Sequence, residues 1–134
     1  MPTNGKRPVI GAGNQSMTTN PQRIIEYWTR YPVANIAMET GSKSGIVVVD
    51  LDVRPGTNGI ENWNREIDTL ASNSARGGIH LFYSIAGRFP TRLDKATGID
   101  LWGEGGSITM PPSVVQGVRY EWLNDLPIKD YAER

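Results

Sequence analysis

Two aspartates one residue apart, Asp50 and Asp52, close the apolar run "GIVVVDLD" at 45–52. Side chains alternate faces along a strand, so Val47, Val49, Leu51 and Val53 share one apolar face. The opposite face reads Ile46, Val48, Asp50, Asp52, apolar first and acidic at its end. Carboxylates at i and i+2 of a strand lie within about 7 Å and repel, which raises the pKa of one unless a cation sits between them. The pair is therefore poised for a divalent metal. A bare Asp-x-Asp is equally what an exposed strand end looks like, with Asp52 capping the turn into "VRPGTNG".

Two further segments bear on that choice. In "GGIHLFYSI", Ile79, Leu81, Tyr83 and Ile85 form one face and His80, Phe82 and Ser84 the other. His80 is the chain's only histidine and follows Gly77-Gly78, which admit close approach of a ligand or of backbone. In "GIDLWG", Asp100 points away from Ile99 and Leu101. If these strands are neighbours, Asp50, Asp52, Asp100 and His80 converge on one open sheet face. Three carboxylates and an imidazole, without thiolates, suit Mg²⁺ or Mn²⁺ better than structural zinc. A hard cation so held, with positions left for phosphate oxygens, is equipment for phosphoryl and nucleotidyl transfer.

The elements that must position these groups are readable. Asn20 is a helix N-cap and Pro21 a first helical residue, with Ile24, Ile25 and Trp28 at helical spacing, which predicts a helix over 21–31. "ANIAME" reads as a short strand and "TGSKSG" as a loop. "NGIENWNREIDTLAS" reads as a second helix with Ile60, Trp63, Ile67 and Leu70 on one face. "GIDLWG", "GSITM" and "VRYEWL" are three more short strands, and "AGRFPTRLDKAT" a loop. Residues 1–19 read as an irregular arm, and the last eight or so as a loosely docked tail. The order favours an α+β sheet with helices on one face, in one domain spanning 1–134.

Fourteen basic and fourteen acidic side chains cancel, so any nucleic-acid contact needs a local patch, for which Lys6, Arg7, Lys43 and Arg54 are candidates beside the plain reading of solvated loop charge. No cysteine is present, which removes disulfides, thiolate metal sites and a cysteine nucleophile and suits a reducing, cytoplasmic setting. No run of eighteen apolar residues occurs, so no membrane partner is expected. "TGSKSG" lacks the P-loop spacing and precedes a strand, and a Ser-His-acid triad has no nucleophile elbow to build on. Trp28, Trp63 and Trp122 read as packing residues, whereas Trp102, on the Asp100 face, is placed to stack on a base or sugar.

An ordered series of segments resembles the primase-polymerase (Prim-Pol) domains of the archaeo-eukaryotic primase superfamily: "KRP" at 6–8, "NPQRIIEYW" at 20–28, "ANIAMETGSKSGIVVVDLD" at 34–52, "GGIHLFY" at 77–83, "GIDLWGEGGSITMPPS" at 98–113 and "YEW" at 120–122. The resemblance covers residues 6–122. It implies an RRM-like, mainly antiparallel sheet with helices on one face plus a small α/β unit. It implies Asp50, Asp52 and Asp100 as catalytic metal ligands, with two Mg²⁺ or Mn²⁺ ions activating a 3′-hydroxyl and stabilising the pyrophosphate. His80 is expected on the triphosphate, with Lys6, Arg76, Gly77, Gly78 and Ser113 as further nucleotide contacts. Nucleoside triphosphates and a DNA template or primer are the implied partners, with a helicase as a further one.

Three features depart from the family pattern: Arg76 stands where a small residue precedes the paired glycines, Trp102 where an arginine follows the third acidic strand, and "SITM" where an aromatic and aliphatic run precedes Pro111-Pro112-Ser113. Arg76 is the natural candidate to supply the missing phosphate-facing cation. Members commonly begin with an additional strand and continue into a helicase, so the chain fits a minimal stand-alone form or a piece of a longer reading frame. A binding module of the same fold without catalysis, and a nuclease or phosphohydrolase using the same acids, are the rival readings.

Overall fold

The alternation in the opening strand carries over directly to three dimensions. The computed structural model describes residues 1–9 and 13–133. Along the chain run β1 (Pro2–Asn4), β2 (Arg7–Pro8), α1 (Pro21–Arg30), β3 (Asn35–Glu39), β4 (Ile46–Leu51), β5 (Val53–Arg54) and β6 (Thr57–Asn58). Then follow α2 (Gly59–Trp63), β7 (Ala71–Asn73), β8 (Ile79–Ser84), β9 (Ile99–Trp102), β10 (Ser107–Met110), β11 (Val114–Val115), β12 (Val118–Arg119) and β13 (Lys129–Asp130). This is a mixed α+β fold with mainly antiparallel sheets and few helices. No helix among the described residues is long and apolar enough to cross a membrane.

The central sheet has β8 and β4 in the middle and β9 on one edge; β7 and β13 share the other side of β8, the latter parallel to it. Val47, Val49 and Leu51 of β4 bury with Leu81 and Tyr83 of β8 under Ile60 and Trp63 of α2. A single core strand that presents apolar groups to both faces needs a second cover. That cover is a sheet in the order β10-β3-β1-β2, whose Met38, Ile108 and Met110 close over Val48, Phe82 and Trp102. Helix α2 therefore covers one side of the central sheet, and the other side is partly roofed by strands where an open face was expected.

Helix α1 starts at Asn20, whose side chain accepts from the Gln22 N–H, as its Asn-Pro signature predicts. None of its residues is buried. It docks through single polar bonds, Tyr27 Oη donating to Ser16 O and Trp28 Nε1 to Ala34 O. A cleft of about 850 Å³ lined by Ile24, Trp28, Met38 and Met110 parts it from the second sheet.

The structure corrects four expectations. The second helix ends at Trp63 because Asn64 turns left-handed at φ 49°; Ile67 is exposed, and Leu70 packs against the opposite cluster. Within the N-terminal arm, Pro2–Asn4 is a strand, and the Met1 amine donates to Ala37 O at 3.0 Å. Backbone pairing with β3 orders it where side-chain composition gave no sign; residues 10–12 of the arm lie outside the described residues. "VRYEWL" is a strand only at Val118–Arg119, although Trp122 makes one bridge to Ser72. Finally, the tail docks firmly: β13 pairs with β8, and the Tyr131 ring stands edge-on to Tyr83 and Phe89 at 5.6 and 5.5 Å. Thr69 completes that seam, donating to Phe82 O at 2.5 Å and accepting from Lys129 N at 2.9 Å.

Asp52 follows the last residue of β4 and is fixed by backbone. Its N–H donates to Gly98 O at 2.8 Å, and its carbonyl accepts from Gly59 N at 2.7 Å. A Cβ on Gly59 would stand 2.3 Å from Gly98 O and 2.9 Å from Asp52 N, so only glycine lets the start of α2 lie against both. Gly59→Ala is expected to destabilise the protein by about 2 kcal/mol and lower Tm by roughly 5–10 °C. A thermal melt within a degree or two of wild type would show that the backbone relaxes freely there.

Candidate metal centre

Strand register builds the site. Asp50 of β4 lies directly opposite His80 of β8 on one side and Asp100 of β9 on the other. Directly paired residues share a sheet face, so the three form one row across three strands. Asp52, two residues on from Asp50, extends the row beyond the strand end. Asp50, Asp52 and Asp100 each offer a carboxylate oxygen within 4.8 Å of the others. The converging face read from parity exists, confined to the part that the second sheet leaves uncovered.

Each acid is held differently. Asp100 is 2% exposed; its Oδ1 accepts from the Asp94 N–H at 2.7 Å, and its Oδ2 lies 3.7 Å from Lys95 Nζ. Asp52 Oδ2 lies 3.4 Å from Arg54 Nη1, and that guanidinium is anchored by a bond of 2.6 Å to Lys95 O. Asp50 stands between two ring N–H groups, with Oδ1 3.5 Å from His80 Nε2 and Oδ2 3.4 Å from Trp102 Nε1. Both contacts are long for hydrogen bonds, and the buried Oδ1 makes no aligned bond to any protein group.

The electrostatics split the pair. Burial pushes the Asp50 carboxyl up, but His80, the Trp102 N–H and the charge of Lys6 together hold it below the ordinary aspartate value. For Asp52 burial again pushes up; here the charges of Asp50 and Asp100 add to it, Arg54 and Lys95 do not offset them, and the carboxyl sits above its ordinary value. An orphaned carboxylate oxygen, three converging acids and unrelieved like-charge repulsion fit a hard divalent cation, and all-oxygen ligation is what Mg²⁺ and Mn²⁺ select.

His80 is 5% exposed, yet it lies in the polar row among Asp50, Ser72 and Tyr120 and not in the apolar core. Arg76 is exposed in the 75–77 turn with a left-handed backbone at φ 62°. Gly77 supplies a second positive φ, of 80°. Gly78 lets the turn press on the end of β4, where a Cβ would meet Leu51 O at 2.7 Å and Ser74 Oγ at 2.5 Å. The turn thus hangs beside Asp52. Lys6 is exposed in the β1–β2 turn and near enough to act on Asp50.

Ser113 is not brought to the acids. It is buried, and its hydroxyl accepts from Ile36 N at 2.9 Å, tying the second sheet to the β11 loop. Of the candidate basic patch, Arg54 joins the site, whereas Lys43 lines the cleft under α1. Trp102 differs from its expected stacking role: its indole packs with Val48 and Phe82 and turns its N–H to Asp50. Sequence reasoning missed Lys95, Ser72 and Tyr120. The only trace of Lys95 was its place in the loop leading to Asp100, five residues upstream.

With the geometry in place, comparison with known proteins is informative. The family model described as bifunctional DNA primase/polymerase, N-terminal (Prim-Pol) matches residues 1–133. No curated protein matches the chain.

The raised Asp52 carboxyl fixes a sign. Its ionised form is disfavoured in the fold, so the stability it contributes is complete below the ordinary carboxylate pKa and is lost as pH rises through the raised value. Asp52→Asn is therefore expected to raise Tm of the metal-free protein at neutral pH, with the difference closing below about pH 4. Millimolar Mn²⁺ should raise the wild-type Tm and leave both Asp50→Asn and Asp52→Asn nearly unmoved. A wild-type melt indifferent to Mn²⁺ would remove the metal centre.

Proposed function

Because the chain belongs to the Prim-Pol family, we propose that it is a template-dependent nucleotidyltransferase, joining nucleotides from nucleoside triphosphates to a 3′-hydroxyl on DNA. The observation that carries this reading is the registered row of Asp50, Asp100 and His80 with Asp52 at its end. Asp50, Asp52 and Asp100 would hold Mg²⁺ or Mn²⁺. A divalent cation in that place supplies Lewis-acid stabilisation to the attacking hydroxyl and to the departing pyrophosphate.

The protein's own groups do the rest. His80, with Nε2 turned to the Asp50 side of the row, offers a hydrogen-bond donor to a triphosphate oxygen. Arg54, Lys95 and Lys6 surround the acids with positive charge that a triphosphate can take over from the carboxylates. Arg76 would add a further cation from its exposed turn, where Gly77 supplies a positive φ and Gly78 keeps the turn tight against the end of β4, so that a phosphate can approach backbone N–H groups. Trp102 orients Asp50 from below. The buried apolar clusters on both sides of β4 make the row rigid, which pre-organised electrostatic catalysis requires.

Primer extension with Mg²⁺ or Mn²⁺ tests the reading. The double variant Asp50→Asn/Asp52→Asn should lose activity by on the order of a thousandfold with its fold intact. Arg76→Ala, which keeps a Cβ and so leaves the backbone strain unchanged, should raise nucleotide KM about tenfold, or about 1.4 kcal/mol, with kcat little changed. Nucleotide binding by wild type without pyrophosphate release would favour the non-catalytic module, and a shortened strand would favour a nuclease.

A further inference from the structure

The candidate site uses only one nitrogen of His80. Nε2 faces Asp50, whereas Nδ1 is buried and makes no hydrogen bond to protein. Two hydroxyls share that condition. Ser72 and Tyr120 are both fully buried, and neither Ser72 Oγ nor the Tyr120 OH has a protein partner.

These groups come from three separate stretches of chain and gather around one ring. Ser72 lies directly opposite His80 across the β7–β8 ladder, so both side chains leave the same face. Because β8 runs between β4 and β7, the flank of the imidazole turned from Asp50 is the Ser72 flank. The Tyr120 ring stands 6.1 Å from the imidazole at 58°. Its backbone is pinned there: Tyr120 N donates to Ser113 O at 2.8 Å, and Trp122, two residues on, bridges to Ser72.

Buried polar atoms are seldom left without partners, because their lost hydration is not returned. Ser72 and Tyr120 both flank the imidazole, so one enclosed water within reach of all three atoms would answer them together. Two hydroxyls, each able to donate or accept, and one imidazole nitrogen match the three hydrogen bonds that an enclosed water typically makes. Among the described residues none of the three atoms has a protein partner.

We propose that Ser72 and Tyr120 are positioning residues for His80, engaging Nδ1 through one enclosed water and so fixing the ring with Nε2 toward Asp50 and the nucleotide phosphates. The orientation of the ring stands on this geometry alone; its consequence for nucleotide binding rests on the nucleotidyl-transfer reading.

His80 is the only histidine in the chain, so histidine-selective ¹⁵N labelling yields one imidazole spectrum. In the nucleotide-free protein, Tyr120→Phe and Ser72→Ala should each move the Nδ1 resonance by several ppm and Nε2 by less, with melts close to wild type. In primer extension the same variants should raise nucleotide KM about tenfold and change kcat less than threefold, the split expected of a group that orients a binding contact. An Nδ1 resonance unmoved by both substitutions overturns the proposal, as does a shift of both nitrogens together through general loosening. Wild-type protein that neither binds nor incorporates nucleotide overturns the nucleotidyl-transfer reading instead, and the Nδ1 resonance still decides the positioning of the ring.

Discussion

The structure depends on holding like charges together at a fixed register. Asp50 and Asp100 are direct cross-strand partners, an arrangement that isolated strands avoid because opposed like charges destabilise a ladder. What enforces it is the apolar pairing below: Val49 against Leu81 and Leu101, and Val48 against Phe82 and Trp102. A slip of one residue would send every buried side chain to the wrong face. Two apolar clusters, one on each face of β4, resist that slip from both sides. The repulsion is then met locally, by the Asp94 N–H and Lys95 at Asp100, by His80 and Trp102 at Asp50, and by Arg54 at Asp52. Asp52 receives the least relief and is the acid whose carboxyl is pushed upward.

Much of this was legible because strand parity is a local property. The two faces of β4, the faces that His80 and Asp100 take within their own strands and the Asn20-Pro21 start of α1 all follow from adjacent residues. The family resemblance rested on the same segments, and the Prim-Pol match spans residues 1–133. What could not be read was decided at a distance. Ile60, Trp63, Ile67 and Leu70 have helical spacing, but Asn64 takes a left-handed backbone and the chain runs on irregularly to Thr69, which serves β8 and β13. The N-terminal strand has no apolar pattern and is ordered by backbone pairing with β3 on one side and β2 on the other. Trp102 was visible as an odd residue near an acid; the packing that turns its N–H inward belongs to the second sheet.

Side-chain amides and hydroxyls replace ladder rungs where strands are short. Asn73 bonds Glu121 N and Arg119 O, Asn124 bonds Thr69 O and Ala71 N, and Asn35 bonds Val114 N and O. Thr40 donates to Gly103 O in the same manner. Such bonds satisfy backbone groups without requiring regular pairing, which is how a chain with 15 glycines and 9 prolines joins many two- and three-residue strands.

The position of the site follows from where the second sheet stops. On the polar face of the central sheet, the row of Val48, Phe82 and Trp102 is covered by Met38, Ile108 and Met110. The row of Asp50, His80 and Asp100 lies one pleat repeat further, about 7 Å along the strands. Covering both rows would bury three carboxylates without recourse, and covering neither would leave β4 unanchored. With the roof ending between them, Asp100 and Asp50 stay largely buried beside apolar side chains, and Asp52 at the end of the row is the acid most open to solvent. Charges in such a setting interact more strongly than in open water, so the same packing that sets the register also sharpens the attraction of the acids for any cation that reaches them.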